Sequence, residues 1–237
     1  MNKIAFVTDL HLDEQFPIDQ GVDARANWKR VLADIKSRDI SEIILGGDVG
    51  TNDSYQWIFD SLTDYRVTVT AGNHDDCQAL KRYISPEFSP TEGGLCYSFD
   101  KDGFRWVYFD SSTESVSENQ ADWLQDKLSS DLPVILLIHH PVFPVRSAID
   151  NQYFLRGRET LQEILKQSGV RVFIFSGHYH LADEQTLSNI TQIITPAVSY
   201  QVIKDADPIA ISTDTFAYRI ITIDTTRLSS EIIEFTS

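Results

Sequence analysis

The histidines of this 237-residue chain all fall in four short polar segments, at residues 9–11, 72–75, 139–141 and 177–180. Each segment follows a run of apolar residues with the spacing of a β-strand. Histidines that only satisfy hydrogen bonds in a core would also be scattered through helices and loops. Their confinement to strand ends therefore favours a shared site, and neutral imidazole is the commonest metal-ligating side chain.

The other polar residues of these segments are carboxylates and an asparagine, without a thiolate. Imidazole nitrogens combined with such oxygens suit Mn, Fe or Zn. The potential ligands are too many for one tetrahedral zinc ion, whereas two ions sharing a carboxylate would account for them, with Asp48 as the natural bridge. Two metal ions about 3.5–4 Å apart can acidify a bound water and hold the phosphoryl oxygens during displacement at phosphorus. The pattern thus predicts a two-metal site suited to phosphoester chemistry.

The elements that must position these residues alternate between strands and helices. Strands are predicted over residues 3–8, 42–45 and 66–71, each ending in a turn that carries polar side chains. Asp23 is predicted to cap a helix that extends to about Ser37, and a second helix follows the second strand. This alternation favours an α/β fold, in which ligands bind at the carboxyl ends of the strands.

The second half of the chain continues the pattern and then becomes all-β. A capping-box signature at Ser117 opens one predicted helix, and Gly169 ends another that begins near Gly157. Residues 204–214 are polar and irregular and are expected to form a loop. Further strands are predicted at residues 96–99, 104–109, 133–138, 170–174, 192–195, 216–224 and 231–235. Because no linker or repeat interrupts the chain, we expect one domain spanning residues 1–237.

Composition limits the possible functions. The chain is 42% hydrophobic, which is enough for a globular core, and its net charge is −15. That charge argues against a nucleic-acid polymer as partner, because no stripe of Lys and Arg is available for phosphates. Attraction of an anionic substrate would have to be local, as bound cations could provide. No apolar run approaches the ~20 residues of a membrane span. With two cysteines and no secretory leader visible, a cytoplasmic protein without membrane partners is expected.

Five motifs, in this order, resemble the calcineurin-like metallophosphoesterase superfamily, and the resemblance extends from Thr8 to about Pro196. The motifs are Asp9-x-His11, Gly47-Asp48, Gly72-Asn73-His74-Asp75, His139-His140-Pro141 and Gly177-His178-x-His180. The resemblance implies a four-layer α/β/β/α sandwich, in which two mixed sheets are flanked by helices. It also implies two divalent or trivalent transition-metal ions as cofactors.

The same resemblance assigns roles to individual residues. It implies that one metal ion is held by Asp9, His11, Asp48 and His180. It implies that the other is held by Asp48, Asn73, His139 and His178. His74 would not bind metal but would protonate or stabilise the leaving oxygen, with Asp75 orienting it. Asp75 could instead be only the N-cap of the next helix.

The sequence also predicts roles or environments for several residues in and near the motifs. His140 is predicted to line the pocket rather than bind metal, and Asp13 and Glu14 are predicted to lie in a solvated loop. Tyr179 could approach the substrate or only pack. Cys77 is expected to be buried rather than reactive.

Segments beside the motifs are similar to the class III cyclic-nucleotide phosphodiesterase branch. They include Phe109-Asp110-Ser111, Gln120-x-x-Trp123-Leu124 and Thr195-Pro196. The resemblance therefore implies a hydrolase that cleaves a small soluble phosphodiester, such as a 3',5'-cyclic nucleotide or a glycerophosphodiester, by hydroxide attack with help from His74. The alternatives are a phosphomonoesterase with the same metal centre and a binding scaffold without catalysis. The oligomeric state is left open.

Overall fold

The computed structural model describes residues 2–91, 94–225 and 227–237. The strands, in chain order, are β1 (Asn2–Val7), β2 (Glu42–Leu45), β3 (Arg66–Val69), β4 (Tyr97–Lys101), β5 (Phe104–Phe109), β6 (Val134–Ile138), β7 (Val172–Ser176), β8 (Asp183–Leu187), β9 (Ile190–Ile194), β10 (Gln201–Val202), β11 (Ile211–Ser212), β12 (Thr215–Asp224) and β13 (Arg227–Thr236). The helices are α1 (Gln15–Asp19), α2 (Ala24–Ser37), α3 (Asn52–Ser61), α4 (Cys77–Leu80), α5 (Glu118–Leu128), α6 (Ala148–Tyr153) and α7 (Arg158–Ser168). In the part of the chain that the structure describes, no helix has the length and apolar character needed to span a bilayer.

Two large sheets organise the chain. The first has the order β13-β12-β1-β2-β3, in which β1, β2 and β3 run parallel and β12 and β13 are antiparallel to their neighbours. The second has the order β4-β5-β6-β7-β9-β8, with parallel strands in the middle and antiparallel pairs at both edges. The predicted α/β fold with two mixed sheets is confirmed. Because the central strands of each sheet are parallel, their carboxyl ends lie at one edge of that sheet.

The alternation of side chains along the strands produces the layers. In β1, Ile4 and Phe6 pack into the core between the two sheets, together with Phe175 of β7. The intervening residues Ala5 and Val7 face the other way, into the core beneath α2 and α3. A third core lies beneath α5 and α7 on the outer face of the second sheet. Each fully buried aliphatic or aromatic side chain contributes roughly 1.5–3 kcal/mol, so these three cores fix the relative positions of the strand ends.

Three helix ends form at the capping residues that the sequence predicted. Asp23 accepts a hydrogen bond from Ala26 N at 2.9 Å and caps α2. Ser117 and Gln120 form the reciprocal capping box of α5. Gly169 ends α7 with φ +68°, a conformation that glycine adopts without steric cost.

Other elements depart from the prediction. The stretch expected to be an irregular loop at residues 204–214 contains β11, which pairs with β10. The edge strand β8 was not predicted, because its sequence Asp-Glu-Gln-Thr-Leu is polar and largely exposed and so lacks an apolar alternation. The short helices α1 and α6 were not predicted either. Both border the site described below.

Candidate metal centre

The polar segments predicted from the sequence converge where the two sheets meet. Two groups of ligand atoms there contain predicted ligands alone: Asp9 with His11 and His180, and Asp48 with His139 and His178, whereas a third joins His11 to Glu14 and His74. Within each group, the candidate ligand atoms lie within 4.8 Å of one another. Asp9 and His11 follow β1 and Asp48 follows β2, whereas the remaining histidines follow β6 and β7 of the other sheet. Each sheet therefore supplies part of both groups.

Asp48 links the two groups. Its Oδ2 lies 3.2 Å from His139 Nε2 and 3.7 Å from His11 Nε2. In the first group, His180 Nε2 lies 3.0 Å from His11 Nε2 and 3.3 Å from Asp9 Oδ1. One carboxylate oxygen is thus positioned near nitrogen ligands of both groups, which is the arrangement that a bridging ligand requires.

Three of the imidazoles are oriented by backbone carbonyls on the side away from the centre. The acceptors are Tyr200 O for His180 Nδ1 at 2.9 Å, Gly46 O for His139 Nδ1 at 2.9 Å and Tyr153 O for His178 Nε2 at 2.8 Å. A ring nitrogen that donates to a carbonyl leaves the opposite nitrogen as the one with a free lone pair. In the neutral ring, that opposite nitrogen faces the centre.

The backbone around the centre is held in uncommon conformations. Five of the ligand candidates have positive φ: Asp9 (54°), His11 (48°), Asp48 (51°), His178 (68°) and His180 (50°). Non-glycine residues pay about 1 kcal/mol or more in this region and cluster at functional sites when they do occur. Two glycines allow the close packing, since a Cβ on Gly72 would overlap Asp48 Oδ1 and one on Gly177 would overlap Asp9 Oδ2.

The electrostatic field of the centre stabilises positive charge. Burial opposes ionisation of Asp9, but His180 and His139 outweigh it and lower the pKa of this carboxyl to about 2. Burial likewise disfavours the charged form of His139, yet Asp48 and Asp9 raise its pKa to about 10. For His178, burial and the neighbouring His139 lower the pKa to about 4, so this ring is neutral at pH 7. The field that favours a proton on His139 would also attract a metal cation.

A carboxylate for which the sequence predicted only a solvated loop, that of Glu14, joins the first group to His74. Glu14 Oε2 accepts from His11 Nδ1 at 3.0 Å and lies 2.9 Å from His74 Nδ1. The hydrogen bond that His74 donates to Glu14 is the largest of the effects that raise the pKa of His74 to about 9. Glu14 is 15% exposed, so the prediction of a solvated loop is wrong for this residue, whereas Asp13 is 37% exposed and pairs with Arg25. The sequence offers only a weak signal for this helix, Pro17 in the first turn of α1, and it does not identify Glu14 as the N-cap.

Asp75 contacts the backbone of the centre. Its Oδ1 accepts from Val49 N at 2.9 Å and from Tyr55 Oη at 3.1 Å, and its Oδ2 accepts from Gly72 N at 2.9 Å. The carboxylate that contacts the His74 ring is therefore Glu14. The N-cap role considered for Asp75 belongs to the next residue. Asp76 accepts hydrogen bonds from the first-turn amides of α4 and caps that helix. Asp75 thus fixes the two turns that carry Asp48 and His74.

The residues present fit metal ions. Asn73 Oδ1 and His139 Nε2 are buried without a hydrogen-bond partner in the described part of the chain. Buried polar atoms are almost always paired, and these two lie beside ionised carboxylates where they could serve as ligands of a cation. Nitrogen and oxygen donors without thiolate suit borderline transition metals.

Residues 2–182 match the sequence profile of the calcineurin-like phosphoesterases. The chain belongs to this family. The match includes all the ligand candidates and confirms the prediction of a metal-dependent phosphoesterase.

Relatives of this phosphoesterase agree with the assignment. It is 26% identical over 226 residues to a probable cyclic nucleotide phosphodiesterase of Fibrobacter succinogenes, covering 92% of this chain and 88% of the relative. It is 28% identical over 179 residues to a probable glycerophosphodiester phosphodiesterase of Arcobacter nitrofigilis, covering 69% and 65%. The crystal structure of a dimetal phosphatase from Danio rerio superposes with a TM-score of 0.66 at 15% identity, covering 99% and 98% of the two chains. That structural likeness supports the fold.

Three further residues in or beside the phosphoesterase motifs make contacts that bear on the expectations stated for them. His140 is buried, and its Nδ1 lies 2.9 Å from Ser111 Oγ, outside both ligand groups. Tyr179 is fully buried and donates from Oη to Asp150 Oδ1 at 2.6 Å, which matches the packing alternative. Cys77 is half-buried against Asp110, and burial raises its pKa to about 12, so its thiol is unreactive at neutral pH.

A cleft of about 630 Å³ opens above the centre. Its floor includes Asp48, Asn73 and His178, and His74 lies on its side with 49% of the side chain exposed. Its walls come from α1, from α6 and from the loop around β10 and β11. A small phosphoester can therefore reach the centre from solvent.

Proposed function

We propose that this phosphoesterase is a dinuclear-metal hydrolase that cleaves a small phosphodiester. The observation that carries the proposal is the pair of buried ligand groups joined through Asp48 Oδ2 at the floor of a solvent-accessible cleft. A single metal site would need about four ligands, and this constellation offers more.

Seven residues are proposed as metal ligands. Asp9, His11, Asp48 and His180 would hold one ion, and Asp48, Asn73, His139 and His178 would hold the other. Bound ions would supply Lewis-acid stabilisation of the phosphoryl oxygens and a more acidic water. Asp9 also accepts from the amide of His178 at 3.0 Å, which holds the two groups next to each other.

The chain itself supplies the proton for the leaving oxygen. His74 lines the cleft, and its Nδ1 is engaged by Glu14 at 2.9 Å, which leaves Nε2 as the nitrogen available to substrate. Its backbone N donates to Asp48 Oδ1 at 2.9 Å, so the position of the ring is tied to the bridging carboxylate. We therefore assign His74 as the general acid and Glu14 as the residue that orients it.

The diester preference is supported by the relatives. Both curated relatives described above carry phosphodiesterase names, one for cyclic nucleotides and one for glycerophosphodiesters. A 3',5'-cyclic nucleotide or a glycerophosphodiester is thus the proposed class of substrate.

Turnover of bis(p-nitrophenyl) phosphate and of p-nitrophenyl phosphate tests the proposal. The protein is stripped with a chelator, loaded separately with Mn, Fe or Zn, and assayed on both esters. We expect metal-dependent hydrolysis of the diester. Hydrolysis of the monoester alone would indicate a phosphomonoesterase, and metal binding without turnover of either ester would indicate a scaffold.

A further inference from the structure

We propose that the cleft binds the organic group of its phosphodiester as a planar aromatic ring, held against Phe16 and Tyr200. This inference rests on the proposed function, because it names the group that the phosphodiester carries. Such a contact favours an ester that carries a planar, base-like ring over an ester of a polyol such as glycerol.

Exposed hydrophobic side chains are concentrated at the mouth of the cleft. Phe16 is 52% exposed and Tyr153 is 53% exposed, and both line the cleft. The Phe16 ring contacts that of Tyr200, another cleft residue, and an exposed apolar patch usually marks a binding surface. Here the patch is continuous with the candidate metal centre, so its natural occupant is the part of the substrate next to the phosphate.

Aromatic rings connect this patch to the metal centre. The rings of Phe16 and Tyr200 lie 5.4 Å apart at 65°. On its other side, the ring of Tyr200 lies 4.4 Å from that of the ligand candidate His180. Aromatic rings prefer such offset and edge-to-face contacts with one another. A ring attached to a phosphate at the centre would therefore reach the Phe16 and Tyr200 side chains directly.

The charges of the cleft oppose a second anionic group. No lysine or arginine lines the cleft within the described residues, and Glu14 and Glu114 do. Pro17, Val202 and Ile211 add apolar side chains to the wall beside the aromatic rings. A neutral, flat, apolar group is what this surface accommodates at the least desolvation cost.

Equilibrium binding of three unactivated diesters tests the inference. Dibenzyl, bis(cyclohexylmethyl) and diethyl phosphate carry the same charge and differ in whether the group is aromatic, apolar or small. Their dissociation constants are measured by calorimetry on metal-loaded protein, and product analysis verifies that they stay intact. The variants are Phe16→Ala and the matched control Ile18→Ala, which removes an equally exposed side chain of α1 that does not line the cleft.

We expect dibenzyl phosphate to bind about tenfold more tightly than either other diester, the effect of one stacking contact. Phe16→Ala should abolish most of this advantage, and Ile18→Ala should retain it. Equal affinities for the benzyl and cyclohexylmethyl esters, or equal losses in the two variants, would overturn the inference. The proposed function fails separately, if metal-loaded protein does not hydrolyse bis(p-nitrophenyl) phosphate.

Discussion

Replacing Glu14 tests the least expected contact of the centre. Glu14 Oε2 contacts two imidazoles at once, 3.0 Å from His11 Nδ1 and 2.9 Å from His74 Nδ1. Glu14→Gln keeps the shape of the side chain and a neutral acceptor but removes the charge. Glu14→Ala removes both contacts.

The magnitude follows from the type of contact. Hydrogen bonds to a charged partner are worth about 1.5–3 kcal/mol, roughly 1 kcal/mol more than neutral ones. Loss of the charge alone should lower kcat about tenfold for Glu14→Gln. Loss of residues that orient metal-ligating histidines typically costs about 10–100-fold in activity or metal affinity, so Glu14→Ala should lie at the upper end and also bind metal more weakly.

The assay is kcat and KM for bis(p-nitrophenyl) phosphate, with metal content measured on the same samples. Asp13→Asn is the matched control, because Asp13 is the adjacent acid and its exposed pair with Arg25 is worth about 0–1 kcal/mol at most. We expect the control to behave as wild type. Equal kcat values for Glu14→Gln and Asp13→Asn would refute the orienting role of Glu14.

The remaining predictions address the centre and its packing. His74→Ala should leave metal content near normal and lower turnover by about 10²–10⁴-fold, most for poor leaving groups; loss of metal would contradict its place outside the ligand set. Asp48→Ala should lose both metal and activity while circular dichroism still shows a folded chain, since Asp48 is the carboxylate proposed to bridge the two ligand groups. Gly72→Ala should weaken metal binding, because its Cβ would displace Asp48 Oδ1, and retained affinity would show that the turn can relax. Leu136→Ala, in a fully buried strand, should lower the free energy of unfolding by about 2–5 kcal/mol in denaturant titrations.

The residues that meet at the centre could be predicted because they occupy equivalent positions, at the ends of strands that the apolar pattern reveals. Each follows a strand with a clear apolar signal, and parallel strands bring their carboxyl ends together. The assignment of Asp9 and His180 to one group, and of His139 and His178 to the other, came from family resemblance and agrees with how the structure groups them. Their role as metal ligands stays a prediction.

The contacts that the sequence did not reveal are made by residues in short elements or elements without a periodic pattern. Glu14 contacts His74 from the N-cap of the five-residue helix α1, and no periodic signal can show in so short a helix. Asp75 lies next to His74 in sequence, yet its carboxylate points into the turns that carry Val49 and Gly72. Tertiary packing determines that Glu14, and not Asp75, contacts the ring of His74. The aromatic wall likewise joins Phe16 to Tyr200, residues that are far apart in the chain.

Metal stoichiometry tests the central claim most directly. Wild-type protein and Asp48→Ala are stripped with a chelator, reloaded with Mn, Fe or Zn, dialysed and analysed by plasma mass spectrometry. The ligand groups predict about two ions per wild-type chain, with both lost or weakened in Asp48→Ala. A wild-type chain that retains at most one ion under every loading condition would contradict a dinuclear centre.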